Sequence, residues 1–121
     1  MMRAKVQVAA GEKAERDRLA ARLGVPMSVI AEFCDRWGVE ELAVFGSVLR
    51  DDFGPESDID VLVRFKEGRT VGLFAAAEMS RELAEMFARE VDLMTRAAIE
   101  RSRNYIRRKN ILETARLVHA A

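Results

Sequence analysis

The sequence predicts an α/β (α+β) domain in which helices flank a small mixed β-sheet. Three observations predict it. Helical and strand-like apolar patterns alternate along the chain, two of the strand-like runs carry aspartates among aliphatic residues, and glycine or proline marks most of the junctions. At 121 residues the chain is expected to fold as one unit, with room for a core but not for a core plus a second folded module.

Glu12 to Leu23, rich in Ala, Glu, Arg and Leu and followed by Gly24, reads as a helix. Pro26 suits the first turn of a second helix, on which Val29, Ile30, Phe33 and Trp37 share an apolar face before Gly38 ends it. Glu41 to Phe45 is predicted as a short strand, Val48 to Asp52 as a short helix, and Gly54-Pro55 as a turn. Ile59 to Phe65 forms the second predicted strand, and Glu67-Gly68-Arg69 the next turn. Leu73 to Arg89 reads as a helix offering Leu73, Phe74, Ala77, Leu83, Ala84 and Phe87 to the core. Glu90 to Met94 is the third strand. Thr95 then caps a last helical region reaching about Leu117, with a break near Asn104.

Composition narrows the function little, because Lys plus Arg and Asp plus Glu are equal at 20 each. The total charge therefore favours neither a nucleic-acid nor a membrane partner. Its distribution is uneven: residues 51–60 are acidic, whereas Arg101, Arg103, Arg107, Arg108 and Lys109 make the C-terminal part basic. That cluster could attract a nucleotide or an acidic partner surface, though a solvated helix face is the commoner explanation; with Tyr105 its one aromatic, it gives little support for direct nucleic-acid binding. Cys34 is the one cysteine, so no disulfide can form within the chain and a reducing, cytoplasmic setting is expected. The N-terminus has no apolar core of a leader, and no stretch has the length of a membrane span. His119 cannot build a histidine metal cluster alone and is expected at the surface, while Phe33 and Trp37 are expected in the core.

The chemistry concentrates in two motifs at fixed distance. Gly46-Ser47 ends one apolar run, and Asp58-Ile59-Asp60 opens the next after ten intervening residues. Strand alternation places Asp58 and Asp60 on one face, about 7 Å apart. Two such carboxylates repel and are costly to bury uncompensated, which points to a divalent cation. Magnesium fits, since it takes hard oxygen ligands and completes its shell with substrate phosphates. Asp92, also among aliphatics on a predicted strand, can join them at one sheet edge, and three carboxylates can hold two ions. Gly46 permits close backbone approach, and Ser47 offers an N–H and a hydroxyl to a phosphate at a helix N-terminus. Arg50, one helical turn further on, is within reach of a phosphate or partner, although exposed arginines commonly serve neither.

The pattern Gly46-Ser47, ten residues, Asp58-Ile59-Asp60, then Val63 and the strand aspartate Asp92 resembles the signature of the polymerase-β-like nucleotidyltransferase superfamily. Together with Leu42 to Arg50 and the tail Ile111 to Ala115, it is most similar to the minimal nucleotidyltransferases. The resemblance covers about Val29 to His119. It divides the chain into an N-terminal helical extension, residues 1–25, and a minimal nucleotidyltransferase domain, residues 26–121. It implies that Asp58 and Asp60 bind the Mg²⁺ associated with the triphosphate, that Asp92 helps hold a second Mg²⁺, and that Gly46 and Ser47 hold the triphosphate of ATP. It further implies an antitoxin that transfers AMP to a tyrosine of a HEPN-domain RNase toxin. The rivals are an antitoxin that works by binding alone and a nucleotidyltransferase acting on a small molecule. The second rival lacks space here for an acceptor-holding domain.

Overall fold

The computed structural model describes residues 13–121; the predicted helix start at Glu12 and the N-terminal segment before it lie outside the described residues. Helix α1 (Lys13–Leu23) and helix α2 (Met27–Trp37) lead into strand β1 (Val39–Phe45) and a 3-10 turn (Gly46–Leu49). Strand β2 (Ile59–Phe65), helix α3 (Leu73–Phe87) and strand β3 (Val91–Thr95) follow. Helices α4 (Arg96–Glu100) and α5 (Tyr105–Thr114) and strand β4 (Arg116–Ala120) complete the fold.

The strands form one mixed sheet in the order β3-β2-β1-β4, with β1 antiparallel to both β2 and β4 and β2 parallel to β3. Alternation along β2 explains how helices cover both faces. Ile59, Val61 and Val63 join a core with Leu19 and Leu23 of α1, Ile30 and Phe33 of α2, and Met79 and Leu83 of α3. Leu62 faces the other way, with Ala43, Phe45 and Leu117, onto Ile99, Ile111 and Leu112 of α4 and α5. Cys34 is buried with the first core, and that burial pushes its thiol up to about 12.

Several boundaries differ from the sequence expectation. Gly38 ends α2 in the left-handed conformation at φ 71°, and β1 starts directly after it at Val39 rather than at Glu41. The short helix predicted over Val48 to Asp52 is instead the 3-10 turn starting at Gly46. In α3 the inward stripe is Met79, Leu83 and Phe87. Leu73 and Phe74, expected in the core, are 85% and 91% exposed, and Ala77 is exposed too. Leu73 and Phe74 precede that stripe by more than a turn, Ala77 lies off its face, and among the described residues no layer covers that end of the helix. Strand β3 lies one residue later than predicted.

The last helical region does not run to Leu117. Thr95 caps α4, its hydroxyl accepting from the Ala98 N–H at 3.1 Å, and Asn104 caps α5 by accepting from the Arg107 N–H at 3.1 Å. After Thr114 the chain turns extended and β4 pairs with the free edge of β1. Long-range pairing there overrides the helical tendency of the segment before it. It also carries His119 into the sheet, where the ring is half-buried and burial pulls its pKa below the ordinary value.

Candidate active site

Asp60 is the second residue of β2, and the register fixes its neighbours. It stands opposite Phe45, the last residue of β1, and opposite Asp92 on β3. Asp60 and Asp92 are thus laterally adjacent across a parallel pair, on the face that α5 covers. Asp58 precedes β2 by one residue instead of lying on the strand as predicted. Asp58 and Asp92 are exposed, and Asp60 is half-buried.

Because β1 ends against Asp60, the next residue, Gly46, is pressed onto it. Gly46 has φ +76°, and a Cβ added there would overlap Asp60 Oδ2. The left-handed conformation favours glycine, and any side chain there would also force the Asp60 carboxylate to move. The Ser47 hydroxyl donates to the Asp58 backbone carbonyl at 3.2 Å, closing the neck of the loop between β1 and β2. This contact brings the two sequence motifs together. Arg50 is 61% exposed, and its Nε donates to Asp52 Oδ1 at 3.3 Å, a pair weakened by water.

A cavity of about 410 Å³ opens over Asp60 and Gly46, lined also by Arg50 and by Arg107, Asn110 and Thr114 of α5. Positions 107, 110, 111 and 114 recur at helical spacing, so they present one face of α5 to the aspartate. That periodicity was the available sequence signal for Asn110 and Thr114, which motif reasoning missed. Arg107 was visible only as one member of a basic cluster, and the structure divides that cluster. Arg107 faces Asp60, Arg108 donates to the Ser102 carbonyl at 2.7 Å, and Arg101 lines a separate cavity near Arg64 and Arg69. A larger cavity of about 700 Å³ lies beside the site, between α1 and α5, but contains none of the three aspartates.

Burial raises the pKa of Asp60 above its ordinary value, the charges of Asp92 and Asp58 raise it further, and Arg107 and Arg50 partly offset them. Three carboxylates thus act on one another without being drawn together. Among the described residues, no three His, Cys, Asp or Glu side chains form a group that could hold a metal ion. Asp58 and Asp92 are exposed, so their charges carry little burial cost. The donor chemistry of the three still fits Mg²⁺: hard carboxylate oxygens, with Asp60 and Asp92 on adjacent strands and Asp58 just before β2, and a charge excess around Asp60 that a cation would relieve.

A family model described as a nucleotidyltransferase domain matches residues 27–118. The chain belongs to the nucleotidyltransferase-domain family. A Methanocaldococcus jannaschii relative, provisionally named a protein adenylyltransferase, is 40% identical over 58 residues, covering 48% of this chain and 60% of its own length. The protein adenylyltransferase MntA of Thermococcus cleftensis is 33% identical over 69 residues, 57% of this chain and 68% of its own. The chain thus spans about two thirds or less of the curated relatives it matches. Among solved structures, a provisionally identified minimal nucleotidyltransferase is 30% identical with a TM-score of 0.58, covering 87% of this chain and 97% of the other. Two toxin–antitoxin complexes share the fold at 17% and 20% identity, with TM-scores of 0.62 and 0.54. The first covers 80% of this chain and 75% of the other and contains AMP-PNP. The second covers 78% and 70% and holds a tri-AMPylated Shewanella oneidensis HEPN toxin with its MNT antitoxin.

In this nucleotidyltransferase domain, the mixed sheet supplies a rigid edge for the aspartates, while the loop and α5 supply cations around the cavity. Arg50 and Arg107 both line the cavity, so an anion entering it would meet positive charge from the loop and from α5. Among the described residues, no helix is long and apolar enough to cross a membrane.

Proposed function

We propose that the chain transfers AMP from ATP to a tyrosine hydroxyl of a HEPN-domain toxin and thereby acts as its antitoxin in the cytoplasm. The observation that carries this reading is the register of Asp60, which stands beside Asp92 and is packed against Gly46 at the mouth of a cavity flanked by Arg50 and Arg107. The names of the related proteins and the AMPylated toxin in a complex of the same fold support the choice of a protein acceptor.

In this reading Asp58, Asp60 and Asp92 hold two Mg²⁺ ions. Such ions, when bound, neutralise the triphosphate and lower the pKa of the attacking hydroxyl. The chain's own residues do the rest. Gly46 and Ser47 offer backbone N–H groups to the triphosphate, while Arg50 and Arg107 bind its charge and orient it within the cavity. The open edge leaves the acceptor hydroxyl to be positioned by the partner, whose docking supplies the orientation that the reaction needs.

Calorimetry of ATP binding with Mg²⁺ and with EDTA tests the nucleotide half of this reading. Binding that requires the metal, and that is lost in Asp60→Asn, is expected. Equal affinity in EDTA would refute the assignment of the aspartates.

A further inference from the structure

The segment from Gly46 to Asp58 carries both halves of the site, yet only its first turn, Gly46–Leu49, is regular structure. Two arginines from elsewhere in the sequence hold the remainder. Arg22, near the end of α1, donates from one nitrogen, Nη1, to the carbonyls of Val48 at 2.5 Å and Arg50 at 2.8 Å. Arg89, two residues beyond α3, donates from Nη1 to the carbonyls of Gly54 at 2.5 Å and Ser57 at 3.0 Å. Both guanidinium groups also lie over the ring of Phe53, at 5.4 Å and 4.2 Å from its centroid. One aromatic ring at the loop's midpoint is therefore shared by two cations, which between them hold four loop carbonyls.

These contacts bear on an anion site. A trans peptide is planar, so a carbonyl fixed toward Arg22 directs the N–H of the following residue away from it. Leu49 and Asp51 have their N–H directions set in this way. A carbonyl engaged by an arginine also cannot turn its negative end toward a bound triphosphate. Arg22 is exposed, and α1 is already anchored by buried Leu19, Ala20 and Leu23. Its hydrogen bonds therefore act on the order of the loop more than on the stability of the fold.

We propose that Arg22 and Arg89, joined through Phe53, are positioning residues for the nucleotide-binding loop. Helix α1, which lies outside the matched residues 27–118, is on this account a working part of the nucleotide site. The proposal rests on the reading of Gly46 to Asp58 as the loop that receives ATP.

The test uses the full chain and its Arg22→Ala, Arg22→Lys and Arg89→Ala variants. Three quantities are measured: the Kd for ATP with Mg²⁺, amide hydrogen exchange across residues 47–58 without nucleotide, and Tm. Each alanine variant is expected to raise Kd about tenfold and to speed exchange within the loop, with little change in Tm. Arg22→Lys, which keeps a cationic donor, should recover part of the affinity. Wild-type affinity in both alanine variants would overturn the proposal, whatever the exchange shows. If the wild-type chain itself binds no ATP with Mg²⁺, the donor-site reading falls. Loop exchange then decides the clamp alone: unchanged exchange in both alanine variants overturns it, and faster exchange upholds it.

Discussion

The space that a side chain at Gly46 would need is occupied by the carboxylate of Asp60. The motif glycine and the motif aspartate are thus two parts of one contact, made when β1 ends opposite the start of β2. Its energetic consequence is direct. A Cβ at φ +76° costs about 1–2 kcal/mol in backbone strain alone, before the carboxylate has to move.

Gly46→Ala is therefore expected to destabilise the chain by about 1–3 kcal/mol in urea denaturation and to weaken ATP binding at least tenfold, roughly 1.4 kcal/mol or more. Adding Asp60→Gly should recover part of the stability, because the overlap is gone, but none of the binding. Wild-type stability in Gly46→Ala would show that the contact does not constrain the turn.

A second prediction concerns acid. Glu82 on α3 accepts from the Trp37 Nε1–H at 3.0 Å and is paired with Arg36, tying α2 to α3. The hydrogen bond from Arg36, then that from Trp37, lowers its pKa below the usual carboxylate range. A lowered folded-state pKa means that this stabilisation is full above about 4.3, the value of an unperturbed glutamate, and is lost as pH falls through the folded value. Glu82→Gln should remove that part of the acid dependence and cost about 0.5–1 kcal/mol near neutrality, after allowance for solvent screening. Denaturant midpoints measured across acid pH, followed by Trp37 fluorescence, check it. Parallel curves for wild type and variant would contradict the assignment.

Much of the fold was legible because local signals agreed with the outcome. Ile59 to Phe65 alternates as a strand should, Gly38 stops α2, and Asn104 breaks the last helical region. β4 was not legible. Its five residues follow a helical stretch, and what makes them a strand is the free edge of β1, far away in sequence. The site divides in the same manner. Gly46, Ser47, Asp58 and Asp60 stood out by spacing, whereas Asn110 and Thr114 belong to the cavity through the packing of α5, and Arg22 reaches the loop carbonyls of Val48 and Arg50 through the placement of α1. The glycine itself was legible, but its reason was incomplete: it clears space for a carboxylate as well as offering close approach to a phosphate.

A third prediction follows from the end of α3. Ala88 has φ 54°, the one positive value at a non-glycine position among the described residues. Glycine accepts this conformation without the Cβ penalty, so Ala88→Gly should stabilise the chain by about 0.5–1 kcal/mol and leave ATP binding unchanged. A fall in Tm would indicate that the alanine methyl contributes more than its strain costs.

The central claim is the transfer of AMP to a protein acceptor, and intact mass spectrometry of the HEPN-domain partner purified with this chain tests it most directly. With ATP and Mg²⁺, the partner is predicted to gain mass in whole adenylyl steps, to gain none when the chain carries Asp60→Asn, and to stay inactive as an RNase after the two are separated. A tight complex whose partner never changes mass, and whose RNase activity returns on separation, would contradict the account and leave inhibition by binding in its place.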